Sequence, residues 1–191
     1  MMPTSIIKLF VLFSFLCLLA LAGCGTKYSK EIAHLDSIKV CLLKVQSQLN
    51  EIDTARLLAI TDDVTGKLSF IQSNFTDTAD LKLAQTLDAY NRVGKSIGLL
   101  LKQLDTMKVH ILTDTTSSSN LKHDLKYNIP LKEKVIDYCK AEEKELERIN
   151  KSFDVIKQET DKQIRKSDSL KVIVDQFILE IKTMQLEAKT K

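Results

Sequence analysis

The longest regular pattern in the chain is a run of positions spaced alternately four and three residues apart in its C-terminal third. The run starts at Val135 and continues to Ala188, and apolar residues occupy most of its positions. This spacing places one apolar stripe on a helix, and more than seven heptads of it are typical of a coiled-coil seam. We therefore predict a helix over residues 130–188, on the order of 85 Å long at ~1.5 Å per residue.

The stripe of this last helix turns polar at Thr160, Gln163 and Ser167. Polar residues in a seam lower stability but can specify register or the number of partners. A bend, a water-filled section or a docking point for a partner would each be consistent with them.

The N-terminal half of the chain carries a similar stripe, which predicts a first long helix over residues 28–75. The stripe changes phase between Ile52 and Leu57. Such a slip alters a supercoil locally without ending the helix. A break near residues 61–66, where two aspartates and a glycine lie, is the alternative.

A turn at residues 76–78 precedes a second predicted helix over residues 79–112, and Asp80 can stabilise its N-terminus. Gly94 and Gly98 lie four residues apart on its apolar face, which favours a close crossing of neighbouring helices. The polar run TDTTSSSN at residues 113–120 is predicted to be a loop, and residues 121–129 a short helical piece.

These patterns together predict an all-α fold, an elongated antiparallel three-helix bundle or coiled coil. A four-helix bundle results if the first helix breaks near residues 61–66. The composition agrees, because 5 glycines, 2 prolines and 6% aromatic residues are too few for the regular turns and packing of a sheet protein.

The N-terminus has the three-part layout of a secretory signal. Residues 1–8 carry one positive charge, residues 9–21 are apolar apart from Ser14, and small residues follow. The apolar run is short for a membrane-spanning helix, which needs about 20 residues. An uncleaved N-terminal anchor is the alternative to a cleaved signal peptide.

The tetrapeptide Leu21-Ala22-Gly23-Cys24 directly after the apolar run resembles the lipobox of bacterial lipoproteins. The resemblance implies a signal peptide over residues 1–23, cleavage before Cys24, and diacylglycerol and acyl groups on that cysteine. A lipidated tether over residues 24–30 and a helical domain over residues 31–191 would follow. The lipid is the only cofactor that the resemblance implies.

The residues after Cys24 bear on the membrane in which such a lipoprotein resides. Gly25 stands where an aspartate favours retention in the inner membrane of enteric bacteria, so we expect the outer membrane. Residues 25–31 lack the acidic run that serves some Bacteroidetes lipoproteins as a surface-export signal. The periplasmic face is therefore favoured.

Two of the four cysteines are left for other chemistry, because Cys17 lies in the leader and Cys24 would carry lipid. The remaining two are Cys41 and Cys139, in a compartment that is oxidising. The first and third helices of an up-down-up bundle run parallel, so a disulfide between these cysteines is geometrically feasible. Two buried thiols are the alternative.

Catalytic and metal-binding motifs are scarce. Glu31 and His34 have the Glu-x-x-His spacing of di-iron bundles, but such sites need a second pair, and neither His110 nor His123 follows a glutamate at that distance. We find no residue set that would support catalysis and expect a protein that is not an enzyme. Interspersed charges, 28 basic and 25 acidic, do not form the basic patch of a nucleic-acid-binding protein.

The sequence therefore favours a membrane-anchored, non-enzymatic scaffold that binds a protein partner or associates with itself. A periplasmic chaperone-like protein is an alternative, although its nearly balanced charge is unusual for that class. A third possibility is a helical carrier of a small ligand or metal ion, for which Glu31 and His34 are the only candidate ligand residues.

Overall fold

The computed structural model describes residues 27–75, 80–127, 129 and 134–189. Four helices occupy nearly all of these ranges, which contain no strand: α1 (Ser29–Asn50), α2 (Thr54–Asn74), α3 (Leu81–Lys126) and α4 (Val135–Lys189). The all-α prediction is confirmed. The predicted signal peptide, Cys24 and the turn at residues 76–78 lie outside the described residues.

The predicted single first helix is wrong, because α1 ends at Asn50 and α2 begins at Thr54. Asp53 caps the new helix: its side-chain Oδ1 accepts a hydrogen bond from the backbone N–H of Arg56 at 2.9 Å. An aspartate in this position satisfies an N–H that has no partner within the helix. Four helices agree with the alternative prediction, but the break lies at residues 51–53, where the apolar stripe changes phase.

Residues 61–66, where the alternative prediction places the break, are continuous helix within α2. The hydroxyls of Thr61 and Thr65 donate to the carbonyl oxygens four residues earlier, at 3.1 and 2.9 Å. Such bonds let a threonine remain within a helix.

Residues 113–120, predicted to be a loop, also belong to a helix, since α3 runs unbroken to Lys126. The hydroxyls of Thr113 and Thr116 donate to carbonyl oxygens one turn earlier, both at 2.9 Å. Ser117 and Ser118 instead donate to the two carboxylate oxygens of Glu142 on α4, at 2.6 and 2.5 Å. A partner on another helix thus stabilises a stretch of weak helix formers.

Helices α1 and α2 occupy successive sections along the pair formed by α3 and α4, and each packs against both. The α1 section lies beside the C-terminal part of α3, where Lys122 Nζ contacts Asp36 at 2.5 Å. The α2 section lies farther along α4, where Arg56 pairs with Asp168 at 2.9 Å. The long helices therefore join the two short ones into one assembly.

The predicted stripes form the core. On α1 and α2 the buried positions are Leu35, Ile38, Leu42, Val45, Leu49, Leu57, Val64 and Ile71. On α4 the predicted seam is buried or partly buried from Val135 to Ile181, whereas Met184 beyond it is 52% exposed. The buried seam thus ends about two turns before the predicted end of the helix at residue 188.

The polar part of the seam is buried, with Thr160, Gln163 and Ser167 all at most 6% exposed. Thr160 Oγ1 and Gln163 Oε1 have no hydrogen-bond partner within the described part of the chain. His34 faces Glu143 and Arg56 faces Asp168. Residues 51–53 lie between His34 and Arg56 in the chain, so the polar section of α4, which lies between Glu143 and Asp168, is level with the break between α1 and α2.

Candidate functional site

A groove of about 550 Å³ lies between the middle of α3 and the N-terminal half of α4. Residues 99–110 of α3 and 148–156 of α4 contribute its lining, and we call it the α3–α4 groove. Its floor contains the buried side chains of Met107, Ile149 and Ile156. Leu99 and Val155 also line the groove, and they are 61% and 66% exposed. The groove thus presents apolar surface to the solvent.

The groove follows from a second set of positions beside the core stripe of each helix. On α3, Leu99, Gln103, Thr106 and His110 are spaced by four, three and four residues, so they share one face. This face borders the buried stripe that contains Leu104 and Ile111. Because the second face mixes apolar, amide, hydroxyl and imidazole groups, it does not stand out in the sequence. The pairing of α3 with α4 makes it one wall of a groove.

The ionisable side chains that line the groove are all of basic residue types. Lys102 and His110 come from α3, while Arg148 and Lys151 come from α4. Arg148 forms a bidentate pair with Glu145 on its own helix, and Lys151 Nζ lies 2.6 Å from Glu147. Lys102 has no ion-pair partner among the residues that the structure describes. Anions approaching the groove would meet cations on both walls.

One end of the groove adjoins an acidic cluster in which Asp114 faces Glu142 and Glu145. Burial raises the pKa of Asp114, and the negative charges of Glu145 and Glu142 raise it further, against the opposing effect of His110 and Arg148. Asp114 Oδ2 is buried without a hydrogen-bond partner in the described part of the chain. This carboxylate is therefore destabilised in its charged form.

A second polar cluster connects α2, α3 and α4. Tyr90 is fully buried, and its hydroxyl donates to Asp63 Oδ2 at 2.7 Å. Lys67 Nζ lies 2.9 Å from the same carboxylate oxygen and also contacts Asp175. The cluster fixes the register of three helices, which is a structural role.

The pKa values in this second cluster reflect strong pairing. Burial raises the pKa of Asp63, but hydrogen bonds from Lys67 and Tyr90 outweigh it and leave the pKa below its ordinary value. Burial lowers the pKa of Lys67, and hydrogen bonds to Asp175 and Asp63 more than reverse this. Burial and the hydrogen bond to Asp63 both raise the pKa of Tyr90 strongly. All three groups therefore keep one protonation state around neutral pH.

The two cysteines of the predicted disulfide are free thiols in this structure. Cys41 is exposed on α1. Cys139 is buried on α4 and lines a cleft of about 260 Å³ together with Glu31, His34 and Glu143. Burial raises the pKa of the Cys139 thiol, and the charges of Glu31 and Glu142 raise it further.

The candidate metal ligands Glu31 and His34 line this same cleft. His34 Nε2 lies 4.0 Å from Glu143 Oε2, which is a loose contact between exposed groups. Within the described ranges, no three histidine, cysteine, aspartate or glutamate side chains are placed to hold a metal ion. His110, which lacks a glutamate three residues before it in the sequence, lines the α3–α4 groove.

None of the helices in the described part of the chain is long and apolar enough to cross a membrane. The chain matches no protein-family model, no curated protein and no solved structure.

Proposed function

We propose that this protein is a bacterial lipoprotein whose helical domain is a non-enzymatic scaffold that binds a partner in the cell envelope. The lipobox-like tetrapeptide Leu21-Ala22-Gly23-Cys24, placed directly after an apolar run, is the observation that carries the proposal. Several acyl chains on one cysteine anchor a protein stably, whereas one chain is marginal. Cys24 is the anchor in this scheme.

The position of α1 supports this arrangement. Ser29, the first residue of α1, lies five residues after Cys24, a distance of at most about 18 Å even for a fully extended chain. The first turn of α1 and the Cys139 end of α4 then lie close to the bilayer. The 55 residues of α4 extend about 80 Å at ~1.5 Å per residue, so the domain can present a partner well away from the lipid.

The proposed location is the periplasmic face of the outer membrane. Gly25 after the cysteine, in place of aspartate, and the lack of an acidic run over residues 25–31 support it. When cells are fractionated, we expect the wild-type protein to be recovered with outer-membrane vesicles. Recovery in the inner membrane would contradict the location and leave the anchor intact.

Metabolic labelling with an alkyne fatty acid tests the anchor itself. The wild-type chain is expected to incorporate the label, and Cys24→Ala to lose it and enter the soluble periplasmic fraction. Cys41→Ala is the matched control, since it removes an exposed cysteine of α1 and should keep the label. Undiminished labelling of Cys24→Ala would overturn the proposal.

A further inference from the structure

We infer that the α3–α4 groove is a docking site for an amphipathic helix with acidic flanks, supplied by a partner protein. This inference deepens the proposed scaffold function and rests on the proposal that the helical domain binds a partner. It does not depend on the lipid anchor.

The shape of the groove suits a helix. Leu99 and His110 are eleven residues apart on α3, which corresponds to about 17 Å, or three turns of a docked helix. The floor is apolar and is formed by two helices packed side by side. An amphipathic helix that presents apolar residues at intervals of three, four and seven fills such a groove. The docked helix would add a further helix to the bundle at this level.

The charges of the groove determine which charged residues the docked helix should carry on either side of its apolar face. Basic side chains lie on both walls, and within the described residues no acidic side chain lines the groove. Charged residues that flank an apolar seam set the choice of partner in coiled coils. The pairs Arg148–Glu145 and Lys151–Glu147 lie on exposed surface, where ion pairs contribute little, so both cations can turn to a partner's carboxylates. A helix with glutamate or aspartate on both flanks is complementary.

The same charges disfavour two other occupants. A second copy docked groove to groove about a twofold axis would bring the basic walls together, and juxtaposed like charges suppress association. A fatty acid has one anionic head, whereas Lys102 and Arg148 lie toward opposite ends of the groove on different walls. Two acidic flanks of a helix match this distribution better than one carboxylate.

Fluorescence anisotropy with designed peptides tests the inference on the full purified chain. The probe is a fluorescein-labelled helical peptide of about 14 residues, or four turns, with leucines at alternating intervals of three and four and glutamates on both flanks. Its matched control has the same leucines and lysines in place of the glutamates. The glutamate peptide is expected to bind at least about tenfold more tightly than the lysine peptide.

Charge reversal in the groove provides the decisive comparison. The double variant K102E/K151E is expected to reverse the preference, so that the lysine peptide binds more tightly. The control K44E/K166E carries the same change in net charge outside the groove and should keep the wild-type preference. A reversed preference cannot arise from misfolding, because misfolding would weaken the binding of both peptides alike.

Three results would overturn the inference: no binding of either peptide, equal binding of both, or a preference that K102E/K151E leaves unchanged. Binding of dodecanoate that the same variant abolishes, without peptide binding, would identify a lipid groove instead. Labelling at Cys24 is measured independently. Failure of the groove inference and failure of the lipoprotein proposal are therefore distinguishable.

Discussion

Val64 of α2 packs directly on the backbone of α3 at Gly94. A Cβ atom at Gly94 would lie 2.8 Å from Val64 Cγ1, a non-bonded contact so short that one of the two residues would have to shift. The predicted close crossing of helices thus occurs at Gly94. At Gly98, one turn away, an added Cβ would meet no atom within 4 Å.

This contrast predicts opposite effects of two identical substitutions. Gly98→Ala should raise the free energy of unfolding by about 1 kcal/mol, because alanine is the better helix former. Gly94→Ala should be less stable than Gly98→Ala by roughly 1–3 kcal/mol, the usual cost of overpacking. Urea unfolding followed by circular dichroism measures both. Adding Val64→Ala should recover much of the loss at Gly94, and strict additivity of the two substitutions would contradict the contact.

Removal of the Tyr90 hydroxyl should destabilise the junction of α2, α3 and α4. Tyr90→Phe retains the buried ring and loses the hydrogen bond to the Asp63 carboxylate, of a kind worth about 1.5–3 kcal/mol. We expect the lower end of that range, because Asp63 keeps Lys67. Tyr127→Phe, at a 62% exposed position, is the control and should change stability by less than about 0.5 kcal/mol. Equal effects of both variants in urea unfolding would argue against the bond.

Asp114 and Asp63 should impose opposite pH dependences on stability. The pKa of Asp114 is raised in the folded state, so the folded protein holds this proton more tightly and loses stability as pH rises above about 3.8. Asp114→Asn should therefore be more stable than wild type at neutral pH, with the difference vanishing in acid. The pKa of Asp63 is lowered, so its stabilisation is present above about 3.8 and is lost as pH falls below that value.

Asp63→Asn is accordingly the matched comparison for Asp114→Asn. It should be less stable than wild type at neutral pH, and the difference should shrink in acid. Thermal unfolding over a series of pH values measures both variants. Parallel pH profiles for the two would contradict the assigned environments.

The two cysteines of the helical domain should differ in reactivity. Cys41 is exposed, while Cys139 is buried with a raised pKa, so little of it is thiolate near neutral pH. Alkylation by iodoacetamide, followed residue by residue with mass spectrometry, should modify Cys139 at least about tenfold more slowly than Cys41. Urea should remove most of this difference. Recovery of the two residues in one cross-linked peptide would instead establish the disulfide that the sequence suggested.

The helical segments themselves could be predicted from local pattern. The apolar stripe of α4 predicts the buried face that the structure shows from Val135 to Ile181. Asp80 caps α3, because its side-chain Oδ1 accepts a hydrogen bond of 2.7 Å from the backbone N–H of Leu83. The break between α1 and α2 is also visible in the sequence, because the apolar stripe changes phase beside Asp53. The same change of phase also fits a slip in a continuous helix, because a slip and a break produce the same spacing.

Other features could not be predicted because they depend on residues far apart in the chain. Residues 113–120 look like a loop when only their weak helix propensity is considered, but Glu142 on α4 accepts hydrogen bonds from Ser117 and Ser118 and helps to hold them in α3. Each wall of the α3–α4 groove is an unremarkable mixed face until the two helices are paired.

The sequence by itself determined the helical class, the buried stripes and the resemblance to a lipobox at Cys24. These are contiguous or periodic features, and helix periodicity is a local property of the chain. The tertiary structure decided where helices end, which polar residues are satisfied and where an exposed groove lies. Those outcomes depend on cross-helix contacts such as Val64–Gly94 and Tyr90–Asp63, whose partners are about 30 residues apart and come together only when the helices pack.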